Sequence, residues 1–202
     1  ISYYSYGSVL GLALDLSLRQ KGLNLDDFMK LMWKNHGKSE VTYKVEDIEK
    51  TLANYAGAEF SDNFFSNYNY QSKMPDYQEL FKGVGIKLEQ KKENYFGASV
   101  KETDSGLEIT RNTFKGSPTY EAGLTAGDVI LNLNGTEVKT TKEMDEIIQN
   151  SETKRIKVSF ERFGEKKITE VQLGESPAYI ISLDENASKK ALKNRKNWLE
   201  AK

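Results

Sequence analysis

The stretch Gly116-Ser-Pro-Thr-Tyr-Glu-Ala-Gly-Leu-Thr-Ala-Gly-Asp-Val-Ile-Leu-Asn-Leu-Asn-Gly135 decides the fold. Pro118 suits the first turn of a short helix, where its missing N–H would have no partner anyway. Gly123 stops that helix. Gly127 and Asp128 follow as a turn, with Asp128 capping or bracing it and binding nothing. Val129–Leu133 is nearly continuously apolar, as a strand buried on both faces would be. Asn134-Gly135 is a tight hairpin turn.

Around this stretch, residues 84–174 carry strand periodicity. Ile86-Lys-Leu88, Gly106–Thr110, Ile156–Phe160 and Ile168–Leu173 alternate apolar and polar residues. Arg162-Phe-Gly-Glu165 joins the last two as a hairpin turn. One helix, Thr141–Asn150, interrupts the strands. Residues 1–83 instead read as helices punctuated by glycine. Val9–Leu18 is apolar nearly all round, as in a buried helix. Asn24 caps a second helix, whose buried side is filled by Phe28, Met29, Leu31, Met32 and Trp33. Val45, Ile48, Leu52 and Tyr55 mark a third. Ser61 caps a fourth, with Phe64, Phe65 and Tyr68, and Asp76–Phe81 is a fifth. The tail, residues 175–202, holds a strand-like Tyr179-Ile-Ile181 and a helix with Leu192, Trp198 and Leu199 on one side. The expected class is α+β: a helical bundle over 1–83, a small barrel or sandwich with helices over 84–174, and a C-terminal helix.

Composition narrows the function classes. The 202 residues carry 29 basic and 30 acidic side chains, so nothing points to nucleic acid or an anionic membrane. No apolar run approaches the roughly 20 residues of a membrane helix. There are no cysteines, which excludes disulfides, thiolate metal sites and thiol catalysis, and leaves the compartment open. The chain opens inside an apolar, aromatic segment without an initiator Met or a signal peptide. It is expected to be a piece of a longer protein, of the bacterial envelope or the cytoplasm.

The order of features in Gly116–Gly135 resembles the centre of a PDZ domain. Such domains add a peptide as a strand to a sheet edge and receive its C-terminal carboxylate on backbone N–H groups. Tyr95-Phe-Gly-Ala98 is similar to the carboxylate loop of PDZ domains in bacterial proteases. The resemblance implies that Gly97 permits close approach, that Phe96 walls the terminal pocket, and that Ala98-Ser99-Val100 is the edge strand. Met144, Ile147 and Ile148 would form the opposite wall, although residues of this kind are more often core than groove. The implied partners are peptide or protein C-termini.

Tyr3-Tyr-Ser-Tyr-Gly7 leading into Leu14-Asp-Leu-Ser-Leu-Arg19 is the second informative segment. With Leu25–Trp33, Tyr55-Ala-Gly57 and Phe60–Tyr68, it resembles the region beyond the zinc site in glycyl aminopeptidase-family metallopeptidases. The resemblance covers essentially the whole chain, with Tyr6 standing where that family has Lys. It implies zinc in the full-length parent, an upstream catalytic region as partner, and Tyr4 as a hydrogen-bond donor to the tetrahedral oxyanion. The zinc itself needs His-Glu-x-x-His, with both histidines on one helix face. This chain has a single histidine, His36, before Gly37 at a predicted helix end, so the chain alone should hydrolyse nothing. Three readings follow: the non-catalytic C-terminal part of a zinc aminopeptidase, a peptide-binding module, or a PDZ scaffold that only caps the helices.

Overall fold

The computed structural model describes residues 3–71 and 73–200. Helices α1 (Tyr3–Gln20), α2 (Leu25–Asn35), α3 (Val45–Ala56), α4 (Ala58–Phe64) and α5 (Tyr77–Lys82) come first, then strand β1 (Ile86–Gln90). Next come β2 (Asn94–Tyr95), β3 (Val100–Thr103), β4 (Gly106–Ile109), helix α6 (Pro118–Glu121), β5 (Val129–Leu133) and β6 (Thr136–Glu137). The chain continues through α7 (Thr141–Gln149), β7 (Arg155–Arg162), β8 (Glu165–Gln172), β9 (Gly174–Glu175), β10 (Tyr179–Leu183) and α8 (Lys189–Leu199). It divides into two compact units, one running to Glu89 and resuming at Ile180, the other spanning Gln90–Tyr179. The change of sequence period falls at 83/84, whereas the units divide at 89/90, because β1 pairs with β10.

In the first unit, α1 is buried on most sides. Ala13 and Leu18 pack with Phe28, Met32, Leu52, Phe64 and Phe65. Leu16 packs with Val84 and Ile86 in a second cluster that Trp198 of α8 covers. Two charged residues of α1 are also buried. Arg19 pairs with Asp15 at 3.0 Å, Asp15 accepts the Leu25 N–H at 3.0 Å, and Arg19 donates to the Asn197 carbonyl. A buried pair is tolerated only when further hydrogen bonds occupy the remaining groups, as here.

Three expectations for this unit are corrected. Ser61 does not cap the fourth helix. That helix starts at Ala58, and the buried Ser61 hydroxyl donates to the Glu49 carbonyl, tying α4 to α3. In α2 only Phe28 and Met32 are buried, while Met29 and Trp33 lie outside, Trp33 at 64% exposure. One helix face accepts residues spaced i, i+4, and five apolar residues within six positions cannot share it. In α8, Ala191 and Trp198 face inward, whereas Leu192 and Leu199 are exposed.

The second unit is an open antiparallel sheet in the order β3-β4-β5-β7-β8, with β6 paired to β5 and a separate β2–β9 pair. Its core gathers Leu107, Ile109, Ile130, Leu133, Ile156, Val158 and Val171. Both hairpin turns read from the sequence are present. Asn134-Gly135 and Phe163-Gly164 adopt positive φ at both positions, as type I′ turns require. The buried carboxylate of Asp128 organises the turn before β5. It accepts the Thr125 N–H at 2.8 Å and both arms of Arg162 at 2.6 and 2.7 Å, while Arg162 also donates to the Gly123 carbonyl. The Asp128 side chain is 1% exposed, so Asp128→Ala leaves Arg162 without its counter-ion. Because Arg162 keeps some contact with water, the expected loss is about 2–3 kcal/mol, measured by chemical denaturation of the full chain.

Candidate functional site

The strand edge at β3 and the loop before it form the candidate site. β3 ends the sheet order. Val100 lies opposite Ile109, and the Thr110 N–H donates to the Ser99 carbonyl. In that register Ser99, Lys101 and Thr103 direct their backbone groups to β4. The N–H and C=O groups of Val100 and Glu102 therefore point away from the sheet. An edge of this kind is a template for a further strand.

The loop Tyr95–Ala98 is fastened from behind by α6. Ser117 caps that helix. Thr119, fully buried, donates its N–H to the Phe96 carbonyl at 3.2 Å and its hydroxyl to the Gly97 carbonyl at 2.8 Å. The N–H groups of Phe96, Gly97 and Ala98 have no acceptor among the described residues. Gly97 has φ +95°, and a Cβ there would press on Ser117 Cβ at 3.0 Å and on Pro118 and Thr119 at 3.2 Å. Successive free amides on a curved loop make an anion-accepting concavity.

Helix α7 supplies the other wall. Its start is a capping box: Thr140 Oγ1 accepts the Glu143 N–H, and the Glu143 carboxylate accepts the N–H groups of Lys139 and Thr140 at 2.9 and 3.0 Å. Those bonds, Lys139 first, hold the Glu143 carboxyl below its ordinary value. The other end is tied to the loop. Asn94 donates its side-chain amide to the carbonyls of Ile148 and Ser151 at 2.8 and 3.2 Å, and Gln149 exchanges hydrogen bonds with the Asn94 backbone. At the far end of β3, the Glu102 carboxylate accepts the Thr141 N–H at 2.9 Å and the Thr141 hydroxyl at 3.2 Å.

The residues singled out from the sequence divide between floor and rim. Phe96, Met144 and Ile148 are buried in the core of the unit, under the site. Ala98, Val100 and Ile147 are half-buried and pack on that core. Ser99 is exposed, and Tyr95 sits in the β2–β9 pair. The strand begins at Val100, not Ala98, because 96–98 curve against α6. Sequence reasoning missed Asn94, Glu102, Thr119 and Gln149. Only the Thr140–Glu143 spacing of a capping box could have flagged α7's start.

In the other unit, Tyr4 is 72% exposed near the start of α1, with its ring against Tyr3. Tyr6 donates to the Tyr68 carbonyl at 2.8 Å, a structural bond at the position where the resembling family has Lys. His36 ends α2 through its backbone, and its buried Nδ1 has no hydrogen-bond partner among the described residues. Ile1 and Ser2 lie outside the described residues. Among the described residues, no group of three or more His, Cys, Asp or Glu side chains could hold a metal ion. Among the described residues, no helix is long and apolar enough to cross a membrane.

Comparisons with known proteins agree with this architecture. Residues 115–162 match the family PDZ_6, PDZ domain. The whole chain shares its fold with an aminopeptidase N family protein from Idiomarina loihiensis, at 24% identity and a TM-score of 0.79. The chain spans 36% of that protein's length. A serine endoprotease from Yersinia pestis aligns over 41% of this chain and 29% of its own, at 21% identity and a TM-score of 0.36. The HtrA3 PDZ domain bound to a phage-derived ligand aligns over 48% of this chain and 92% of its own, at 14% identity and a TM-score of 0.37. No curated protein matches the sequence. Residues 115–162 therefore carry a PDZ domain, and the fold of the chain is like that of about a third of an aminopeptidase N family protein.

Two outcomes are expected. Asn94→Ala unties the loop from α7 and should lower stability by about 1–2 kcal/mol, read from denaturant midpoints. Glu143 stabilises α7 above the unfolded carboxyl pKa, and that contribution is lost as pH falls through the lowered folded value. Glu143→Gln should therefore flatten the acid limb of melting temperature against pH.

Proposed function

We propose that the PDZ domain captures peptide C-termini, and that the chain is the non-catalytic, PDZ-bearing part of a zinc aminopeptidase-like protein. The peptide adds to β3 as an antiparallel strand. Its terminal carboxylate rests on the N–H groups of Phe96, Gly97 and Ala98, and its last side chain lies over Ala98, Val100 and Ile147. The observation that carries this reading is the conjunction of an unpaired strand edge with three unclaimed amides at its start. A carboxylate suits those amides better than a neutral carbonyl, since charge-assisted hydrogen bonds are about twice as strong.

The link to a peptidase rests on the full-length fold likeness and the Tyr3–Arg19 segment. On this reading the helical unit ends a catalytic region supplied mainly by other residues of the parent, including every zinc ligand. Tyr4 is the residue of this chain assigned to that chemistry, as a phenol donating to an oxyanion. Its side chain is largely exposed, and its ring lies against Tyr3.

The test is a titration of the full chain with a labelled peptide ending in an apolar residue, as the free acid and as the C-terminal amide. The free acid should bind saturably and the amide about tenfold or more weakly, the loss of a charge-assisted contact being of that order. Equal binding of the two forms overturns carboxylate capture, as does binding untouched by Gly97→Asp. No saturable binding of either form overturns peptide capture altogether.

A further inference from the structure

The walls of the cleft beside β3 are unequal in charge. Glu102 is on β3, on the face shared with Val100, because alternate residues of a strand share a face. Val100 packs on the core that Met144 and Ile148 of α7 also enter, so this face looks toward α7. The Glu102–Thr141 bonds place the carboxylate at the mouth of the cleft. Asp145 lies one turn after Thr141, on the same side of α7 and exposed. Neither carboxylate has an ion-pair partner among the described residues. The lysines beside them are engaged elsewhere: Lys101 pairs with Glu108 at 3.0 Å and Lys142 with Glu146 at 3.8 Å.

Resting on the peptide-capture reading above, we infer that this cleft selects C-terminal peptides carrying Arg or Lys upstream of the terminal residue, and rejects Asp or Glu there. The register names the position. Outward-facing backbone groups recur at every second residue, so an added strand ending opposite Ala98 sets its third-from-last residue opposite Val100. Its fifth-from-last residue then lies opposite Glu102. Directly opposed side chains on one face are about 5 Å apart at Cβ and interact by charge, opposite signs favourably and like signs unfavourably. Diagonal neighbours are about 7–8 Å apart, within reach of a long cationic side chain at the third-from-last position. The Arg or Lys opposite Glu102 displaces nothing essential, since the carboxylate can accept from the cation and from Thr141 together.

The test uses the full chain and three peptides of one sequence, with the same apolar C-terminal residue and Arg, Ala or Glu fifth from the end. Affinity should fall in that order, with Arg about two- to fivefold tighter than Ala and Glu weaker than Ala by a similar factor, as exposed pairs give. The Arg preference should shrink as salt is raised. Glu102→Gln keeps an acceptor for Thr141 and should erase the ranking, and Glu102→Lys should reverse it. Three equal, salt-independent affinities in the unaltered protein overturn the selectivity while leaving peptide capture standing. A ranking that survives Glu102→Gln overturns the assignment to Glu102. If no peptide saturates, the amide comparison has already failed and both readings fall together.

Discussion

The site depends on Thr119. Its side chain and backbone are buried, and both of its donors are spent on consecutive carbonyls of the loop before β3, at Phe96 and Gly97. A buried hydroxyl left unpaired costs about 1–3 kcal/mol, so the loop is held in the conformation that satisfies it. Two consequences follow. With those carbonyls turned toward α6, the neighbouring amides face the other way and stay free. With Ser117, Pro118 and Thr119 pressed against Gly97, that position must do without a Cβ and must take positive φ. The free amides of the loop are thus a by-product of how α6 packs behind it.

The second wall is held with comparable firmness. Helix α7 is capped through Thr140 and Glu143 at one end and tied to Asn94 at the other, while Met144 and Ile148 fix its lower face in the core. Burial of these two side chains means that the cleft cannot widen without opening the core, and interiors packed at crystal-like density resist that. A site so braced pays little ordering entropy on binding. It also has little freedom to reshape itself, so its selectivity must come from the few rim groups that are fixed in place.

What the sequence revealed and what it concealed divide along physical lines. Local rules were sufficient for the hairpin turns at Asn134-Gly135 and Phe163-Gly164, for the Pro-started α6, and for the cap at Asn24. Each is settled by residues a few positions apart. Burial of the Asp15–Arg19 pair has no local signal in α1, and only the seating of α2 and α8 on that helix gives it further partners. Ser61 satisfied the rule for a helix start, yet Gly57 had already opened the helix and the hydroxyl serves α3. Trp33 shows the reverse case, an apolar residue whose helical phase carries it outside. In the cleft, Phe96, Met144 and Ile148 were legible as an apolar set, but whether they line a surface or lie beneath it depends on long-range packing. Glu102 and Thr141 are 39 positions apart, and no pattern in the chain announces that they meet.

On the proposed peptide capture, the charge of the cleft would act more by exclusion than by attraction. Exposed ion pairs gain little in water, because both charges are already well solvated. The Glu102 carboxylate keeps its hydration, along with the bonds from Thr141, as long as the cleft holds water. An added strand removes part of that water. An acidic side chain then meets a like charge at close range, an apolar one desolvates the carboxylate without compensation, and a cationic one restores what was lost. Discrimination of this kind comes from penalties laid on the wrong ligand. On the proposed capture it would tolerate any apolar terminal residue that fits over Ala98 and Val100, and it would place the selective contact at the end of the strand farthest from the loop before β3.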